Sequence, residues 1–333
     1  MREPAFWWRN AGRAAALLAA ASALYGAVVV RRMRRTGRRA GIPVLCVGNF
    51  TLGGAGKTPT AMALAKILLH AGHRPFFLSR GYGGRLSGPV QVDELLHRAR
   101  DVGDEPMLLA RLAPTIVAHD RFAGAMMARN AGADVIVMDD GFQNPALHKD
   151  ASLIVVDARR GIGNRRVFPA GPLRAPLERQ LQATDAILLI GQGDLPAELA
   201  VEIQARNIPA FRARFEPDTD AVAVLAGTKT LAFAGIGDPE KFFATVEAAG
   251  IQVAVRQAFP DHHRYTPADA AVLLRRAAQE GLHLLTTEKD LVRLIGDEKL
   301  AALAAKTRTL PVTLVFEDPA ALRAWMLAKL QIP

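Results

Sequence analysis

The stretch "VGNFTLGGAGKTPT", Val47–Thr60, decides the fold. It ends in the Gly-Lys-Thr of a phosphate-binding loop, G-x-x-x-x-G-K-[ST], but Thr51 stands where the first glycine of that pattern belongs. "IPVLCVG" (42–48) before it reads as a buried strand, and "TPTAMALAKILL" (58–69) after it has helical periodicity. A glycine-rich turn between a strand and a helix start is the context in which this motif has a mechanism. In a loop running Thr51, Leu52, Gly53, Gly54, Ala55, Gly56, the glycine amides converge on phosphate oxygens and the helix N-terminus adds partial positive charge. Lys57 then reaches the β and γ phosphates of ATP, and the Thr58 hydroxyl offers a ligand to Mg2+. Thr51 leaves that geometry intact, because the phosphate-facing amides come from the later glycines.

Outward from this loop, short apolar runs alternate with helix-period segments: "PFFLS" (75–79), "TIVAH" (115–119), "DRFAGAMMARNAG" (120–132), "DVIVM" (134–138), "SLIVVD" (152–157) and "AILLI" (186–190). Such alternation predicts an α/β fold, with a parallel sheet and crossover helices. After a polar connection that includes "RARFEPDTDAV" (212–222), a second series runs from "LAFAGI" (231–236) to "VTLVFE" (312–317). The expected parts are a basic and apolar helical segment over 1–40, a P-loop NTPase-like domain over 41–222, and a smaller α/β domain over 228–333.

Half of the 333 residues are apolar, ample for a buried core. The formal charge is +10, but residues 1–40 hold nine arginines and one glutamate, which leaves +2 for the other 293 residues. Basicity confined to one end, with 6% aromatic residues, is not the footprint of a nucleic-acid-binding face, and no such partner is expected. The single cysteine, Cys46, excludes an intrachain disulfide and reads as a small core residue.

Residues 14–30, "AAALLAAASALYGAVVV", carry no charge and lie between "FWWRNAGR" and "RRMRRTGRR". As a helix they reach roughly 26 Å, short of the roughly 30 Å hydrocarbon core. The predicted placement is in the membrane interface or one leaflet. Trp7 and Trp8 suit the headgroup level, and Arg31, Arg32, Arg34, Arg35, Arg38 and Arg39 suit anionic lipid on the cytoplasmic side. A cleaved signal peptide would carry the nucleotide site away from ATP; a helix packed on the soluble domain is the competing reading.

A phosphate loop needs a second metal anchor, and "ADVIVMDDGFQ" (133–143) offers Asp139 and Asp140 at the end of an apolar strand. Two adjacent aspartates can divide the work between Mg2+ and a water, lysine or substrate. GTPase signatures are missing: Lys289 stands directly before Asp290, with no spacer for N-K-x-D, and Met138 occupies the position three before Gly141. An ATP-dependent reaction is favoured.

These stretches, with "LSRGYGG" (78–84), "VGDEP" (102–106), "VVDARRGIGN" (155–164), "FPAGPLR" (168–174), "FAGIGDPEKF" (233–242), "FPDHHRY" (259–265) and "TTEKDLVRL" (286–294), together resemble the tetraacyldisaccharide 4'-kinase family, the lipid A 4'-kinases of Gram-negative bacteria. The likeness runs in order over nearly the whole chain, and a threonine in place of the first loop glycine belongs to that family's pattern. It implies transfer of the γ-phosphoryl of ATP to the 4'-hydroxyl of an acylated glucosamine disaccharide 1-phosphate at the cytoplasmic face of the inner membrane. It further implies two Rossmann-like domains with the active site in the cleft between them, and an N-terminal helix that brings the site to its lipid substrate. Asp104 matches the family's proposed base and His262 its partner; Lys57, Asp139 and Asp140 complete the catalytic set.

Without the family, Asp104 reads as a helix N-cap and His262 as an exposed loop residue. Arg80 is a candidate phosphate or sugar contact, and Arg159, Arg160, Arg165, Arg166 and Arg174 are candidates for the 1-phosphate. Asn144 and Ala175 depart from the family's usual residues. A monomer is expected. The alternative from another class is a membrane-associated P-loop ATPase of the switch or metallochaperone type, against which the single cysteine and lone His262–His263 pair argue.

Overall fold

The structure, a computed structural model, describes residues 3–9 and 12–333. Its strands are β1 (Val44–Asn49), β2 (Pro75–Ser79), β3 (Val90–Gln91), β4 (Thr115–Val117), β5 (Val135–Asp139), β6 (Ala151–Asp157), β7 (Ala186–Ile190), β8 (Ala210–Pro217), β9 (Lys229–Ala234), β10 (Gln252–Ala258), β11 (His283–Thr286), β12 (Thr307–Thr309) and β13 (Val312–Phe316). Nine form one sheet in the order β13-β8-β7-β6-β1-β5-β2-β4-β3, and four form a second in the order β10-β9-β11-β12.

β1 lies centrally, parallel to β5 on one side and β6 on the other. Helices cover both faces, which is why its sequence is an unbroken apolar run rather than an alternating one. On one face Leu45 and Val47 meet Leu64 and Leu68 of the helix Lys57–His70, with Leu322 and Met326 of Pro319–Leu330 in the same cluster. On the other, Cys46 is fully buried with Ala125 and Ala128 of the helix Arg121–Asn130. The chain winds outward in both directions from β1, so the carboxyl ends of β1 and β5 flank a switch point where open α/β sheets bind ligands.

Two expectations about the end of the large sheet are corrected. "RARFEPDTDAV", taken as a connection, contains most of β8 and the helix Thr219–Leu225. "VTLVFE", taken as the close of the smaller unit, forms β13, antiparallel to β8. An edge strand leaves a row of N–H and C=O groups unpaired, and β13 satisfies those of β8. Residues 312–333 therefore pack with the large sheet, and the small sheet ends with β12. The large sheet is mixed, since β3 is also antiparallel, to β4.

At the N-terminus, helices Arg13–Leu17 and Ala19–Met33 are separated by a break at Leu18. Residues 1, 2, 10 and 11 of the expected segment lie outside the described residues. Among the described residues no helix is long and apolar enough to cross a membrane. Trp7 is not free for a headgroup layer: it is buried, packs edge-on to Phe168 and donates to the Pro169 carbonyl at 3.0 Å. The longer helix docks through Ser22, whose hydroxyl donates to the Val167 carbonyl at 2.6 Å, and through Gly26 beside Pro176. Leu17, Leu24 and Val28 are left exposed at 86%, 71% and 53%.

Candidate active site

The loop after β1 explains its threonine. Thr51 is extended and bridges Leu173 antiparallel, with Leu52 N–H on the Pro172 carbonyl at 2.8 Å, so no glycine is required there. Glycine is required at Gly56, which caps the helix at φ 92 and whose Cβ would lie 3.1 Å from the Ile190 side chain.

Register then fixes the carboxylates, because Val47 is paired with Asp139. Thr58 donates its hydroxyl proton to Asp139 Oδ2 at 2.9 Å, and Asp139 Oδ1 is buried with no hydrogen-bond partner among the described residues. Burial pushes the Asp139 carboxyl up, and the nearby Glu105 charge adds to it while Lys57 opposes. Asp140, at φ 54, turns the other way. Arg174 clasps both its oxygens at 2.9 and 3.2 Å and also donates to the Thr51 carbonyl at 2.9 Å; Lys57 Nζ lies 3.6 Å from Asp140 Oδ2. Burial works to raise Asp140, but the Arg174 and Lys57 charges outweigh it and hold the carboxyl well below the usual carboxylate range.

The second half of the site comes from three segments. "VGDEP" opens the helix Asp104–Ala110, and the preceding Gly103, at φ 96, lets the "SRGYGG" turn approach: a Cβ there would meet the Tyr82 carbonyl at 2.7 Å. The loop after β10 delivers His262, at φ 54, with its N–H on the Gly235 carbonyl at 2.9 Å and its ring edge-on to Tyr82. His262 Nδ1 stands 3.2 Å from Asp104 Oδ2, so the pair expected to meet across a cleft is in contact. The helix Glu288–Leu294 adds two cations: Lys289 pairs with Glu105 at 2.6 Å, and Arg293 donates to Asp104 through Nε at 2.8 Å and through Nη2.

Burial raises Asp104, but the His262 hydrogen bond and the Arg293 and Lys289 charges override it and keep the carboxyl far below its ordinary range. The same hydrogen bond raises the His262 imidazole against the cost of burial.

Most of the basic-loop arginines are occupied within the chain, while Arg166 is exposed. Arg165 pairs with Glu198 and with Glu202, Arg159 with Asp238, and Arg160 with both Glu3 and Asp238. Arg174, offered as a 1-phosphate contact, is committed to Asp140 and Thr51. Arg80 is exposed. Asn144 stabilises its own turn by accepting from Ala146 N–H at 2.9 Å, and Ala175 is buried. Sequence reasoning missed Glu105, Lys289 and Arg293; the signal was present in "GDEP" and "TTEKDLVRL", where these three charged residues had no assigned partners.

Comparison with known proteins defines the class. The model of the family described as tetraacyldisaccharide-1-P 4'-kinase, LpxK, matches residues 14–331. The chain is 55% identical to the tetraacyldisaccharide 4'-kinase of Nitrobacter winogradskyi over 327 residues, 98% of this chain and 97% of that one. It is also 55% identical to that of Bradyrhizobium diazoefficiens over 323 residues, covering 97% and 95%. Among solved structures it is similar to an "apo" form of LpxK from Aquifex aeolicus in complex with ATP, with a TM-score of 0.73 and 26% identity over 95% of this chain and 99% of that one. Fold and relatives together define a kinase, a phosphotransferase with an alcohol group as acceptor. More narrowly, the chain belongs to the tetraacyldisaccharide-1-P 4'-kinase family of lipid A biosynthesis.

Proposed function

We propose that this protein transfers the γ-phosphoryl of ATP to the 4'-hydroxyl of a tetraacylated glucosamine disaccharide 1-phosphate. The observation that carries the reading is the facing of two built halves: the loop, Lys57, Thr58 and Asp139 at the carboxyl ends of β1 and β5, and the Asp104–His262 pair brought by the two sheets. Family membership favours the kinase over a switch-type ATPase.

The amides of the later loop glycines, Gly53, Gly54 and Gly56, cradle the phosphates, and Lys57, aimed by Asp140, neutralises the β and γ oxygens. The donor set suits Mg2+, since a hydroxyl and a buried carboxylate oxygen lacking a partner are what this hard cation takes alongside phosphate oxygens and water. The metal falls to Thr58 and Asp139; Asp140, expected to share it, has both oxygens on Arg174. When bound, the ion offsets phosphate charge. Asp104 takes the proton of the acceptor hydroxyl as the sugar oxygen bonds to the γ-phosphorus, and the bond from that phosphorus to the β,γ-bridging oxygen breaks, releasing ADP. The two sheets with their helices act as lobes around this cleft, and the site is complete in one monomer.

We place the protein at the cytoplasmic face of the inner membrane, a reading supported by the exposed Leu17, Leu24 and Val28 on the docked N-terminal helices and the exposed Arg31, Arg32, Arg34 and Arg35 beside them, which suit anionic lipid. The helix lies in the interface.

The test is transfer of label from γ-labelled ATP, with Mg2+, to tetraacyldisaccharide 1-phosphate by the detergent-solubilised full chain. Label in the lipid is expected, with a loss of about 10²–10⁴-fold in Asp104→Ala. ATP consumed with no labelled lipid would overturn the substrate assignment.

A further inference from the structure

We infer that Arg293 is a positioning residue for phosphoryl transfer, seating Asp104 and His262 in one fixed arrangement from a buried anchor under the small sheet. This rests on Asp104 acting as the base. The Arg293 side chain is only 7% exposed, and four of the five N–H groups of its planar fork have acceptors. Nε and Nη2 grip Asp104 Oδ2, while Nη1 donates to the Gly235 carbonyl and to Asp290 Oδ1 at 2.8 Å. The Gly235 carbonyl is also where the His262 N–H ends, so one carbonyl registers both members of the pair. Asp104 Oδ1 accepts from Glu105 N–H at 2.9 Å, which fixes the carboxylate plane.

The anchor itself is rigid. Asp290 is fully buried and accepts from Gly235 N–H at 3.0 Å, Tyr265 hydroxyl at 2.9 Å and Thr287 hydroxyl at 2.6 Å. A lysine at 293 would keep the charge and lose the fork that links Asp104, Gly235 and Asp290. The charged groups facing Asp104 are His262 from the loop after β10, Lys289 and Arg293 from the helix Glu288–Leu294, and the neighbouring Glu105. Removing the guanidinium leaves Asp104 less favoured as a carboxylate.

The full chain, wild type and Arg293→Met, Arg293→Lys and Asp104→Ala, is assayed by the labelled-lipid reaction across pH, with thermal melting of each. For Arg293→Met we expect kcat to fall roughly 10–100-fold with KM for ATP little changed, and the acid limb of kcat/KM to move up by about 1–3 pH units. Added guanidinium ion should recover part of the rate. Arg293→Lys should keep the acid limb near wild type while losing kcat, and it carries the test if the methionine variant does not fold. Wild-type kcat and acid limb in Arg293→Met, or losses that only track the folded fraction, would overturn the inference. An active Asp104→Ala would overturn the base assignment and this inference with it; an inactive Asp104→Ala beside a normal Arg293→Met overturns this inference alone.

Discussion

The phosphate loop and the Asp104–His262 pair are two halves of one site built in opposite ways. The loop half is local: β1, its turn, the next helix and the end of β5 are set by the pairing of neighbouring strands, with Val47 opposite Asp139. The other half is assembled from positions 104, 262 and 293, which lie on helices and a loop attached to two different sheets, and it holds only while those sheets stay together. Charge placed by strand register tolerates loss of a neighbour, whereas charge placed by tertiary docking is as secure as its weakest support.

The comparison breaks if the local half behaves as the fragile one. Lys57→Ala should lower phosphoryl transfer by at least about 10³-fold while leaving Tm nearly unchanged, because Asp140 keeps its Arg174 partner; a large fall in Tm would contradict local construction. Asp290→Ala should act the other way. It removes one partner of a buried pair and strands Arg293, costing about 3–5 kcal/mol in urea unfolding. Activity falls with it even though residue 290 touches neither phosphate nor hydroxyl.

The smallest effect concerns pH. His262 has a folded pKa above its ordinary value of 6.5, so its contribution to stability is complete below that value and is lost as pH rises through the folded pKa. Melting the wild type at stepped pH from 6 upward should show a fall on the order of 1 °C beyond that common to His262→Gln. Equal pH curves for the two proteins would mean the imidazole contributes no proton-linked support.

The same contrast explains what the sequence made legible. The strand, loop and helix around Gly56, and the aspartates at the end of "DVIVM", lie in contiguous stretches whose periodicity and glycine placement speak directly. Arg293 could be quoted within its motif but given no partner, since a contact 189 residues away leaves no local trace. β8 was lost for a different reason. Phe211, Ala213 and Phe215 alternate with Arg212, Arg214 and Glu216, and averaging over the polar half hid a period of two. Trp7 looked like a membrane anchor because an aromatic before an apolar helix fits either a headgroup layer or a pocket made by Phe168.

The return of the chain as β13 has a mechanical meaning. Pro217, the last residue of β8, is paired with Val312, the first of β13, and Asp218 N–H bonds the Pro311 carbonyl at 2.9 Å. Everything from 218 to 311 thus leaves and re-enters through one doorway, like a leaf hung on two adjacent pins. A body hung this way is restrained from twisting away on a single strand and swings most easily about the line of its pins, so His262 and Arg293 would travel along a short arc toward and away from Asp104, which stays with the phosphate loop on the large sheet.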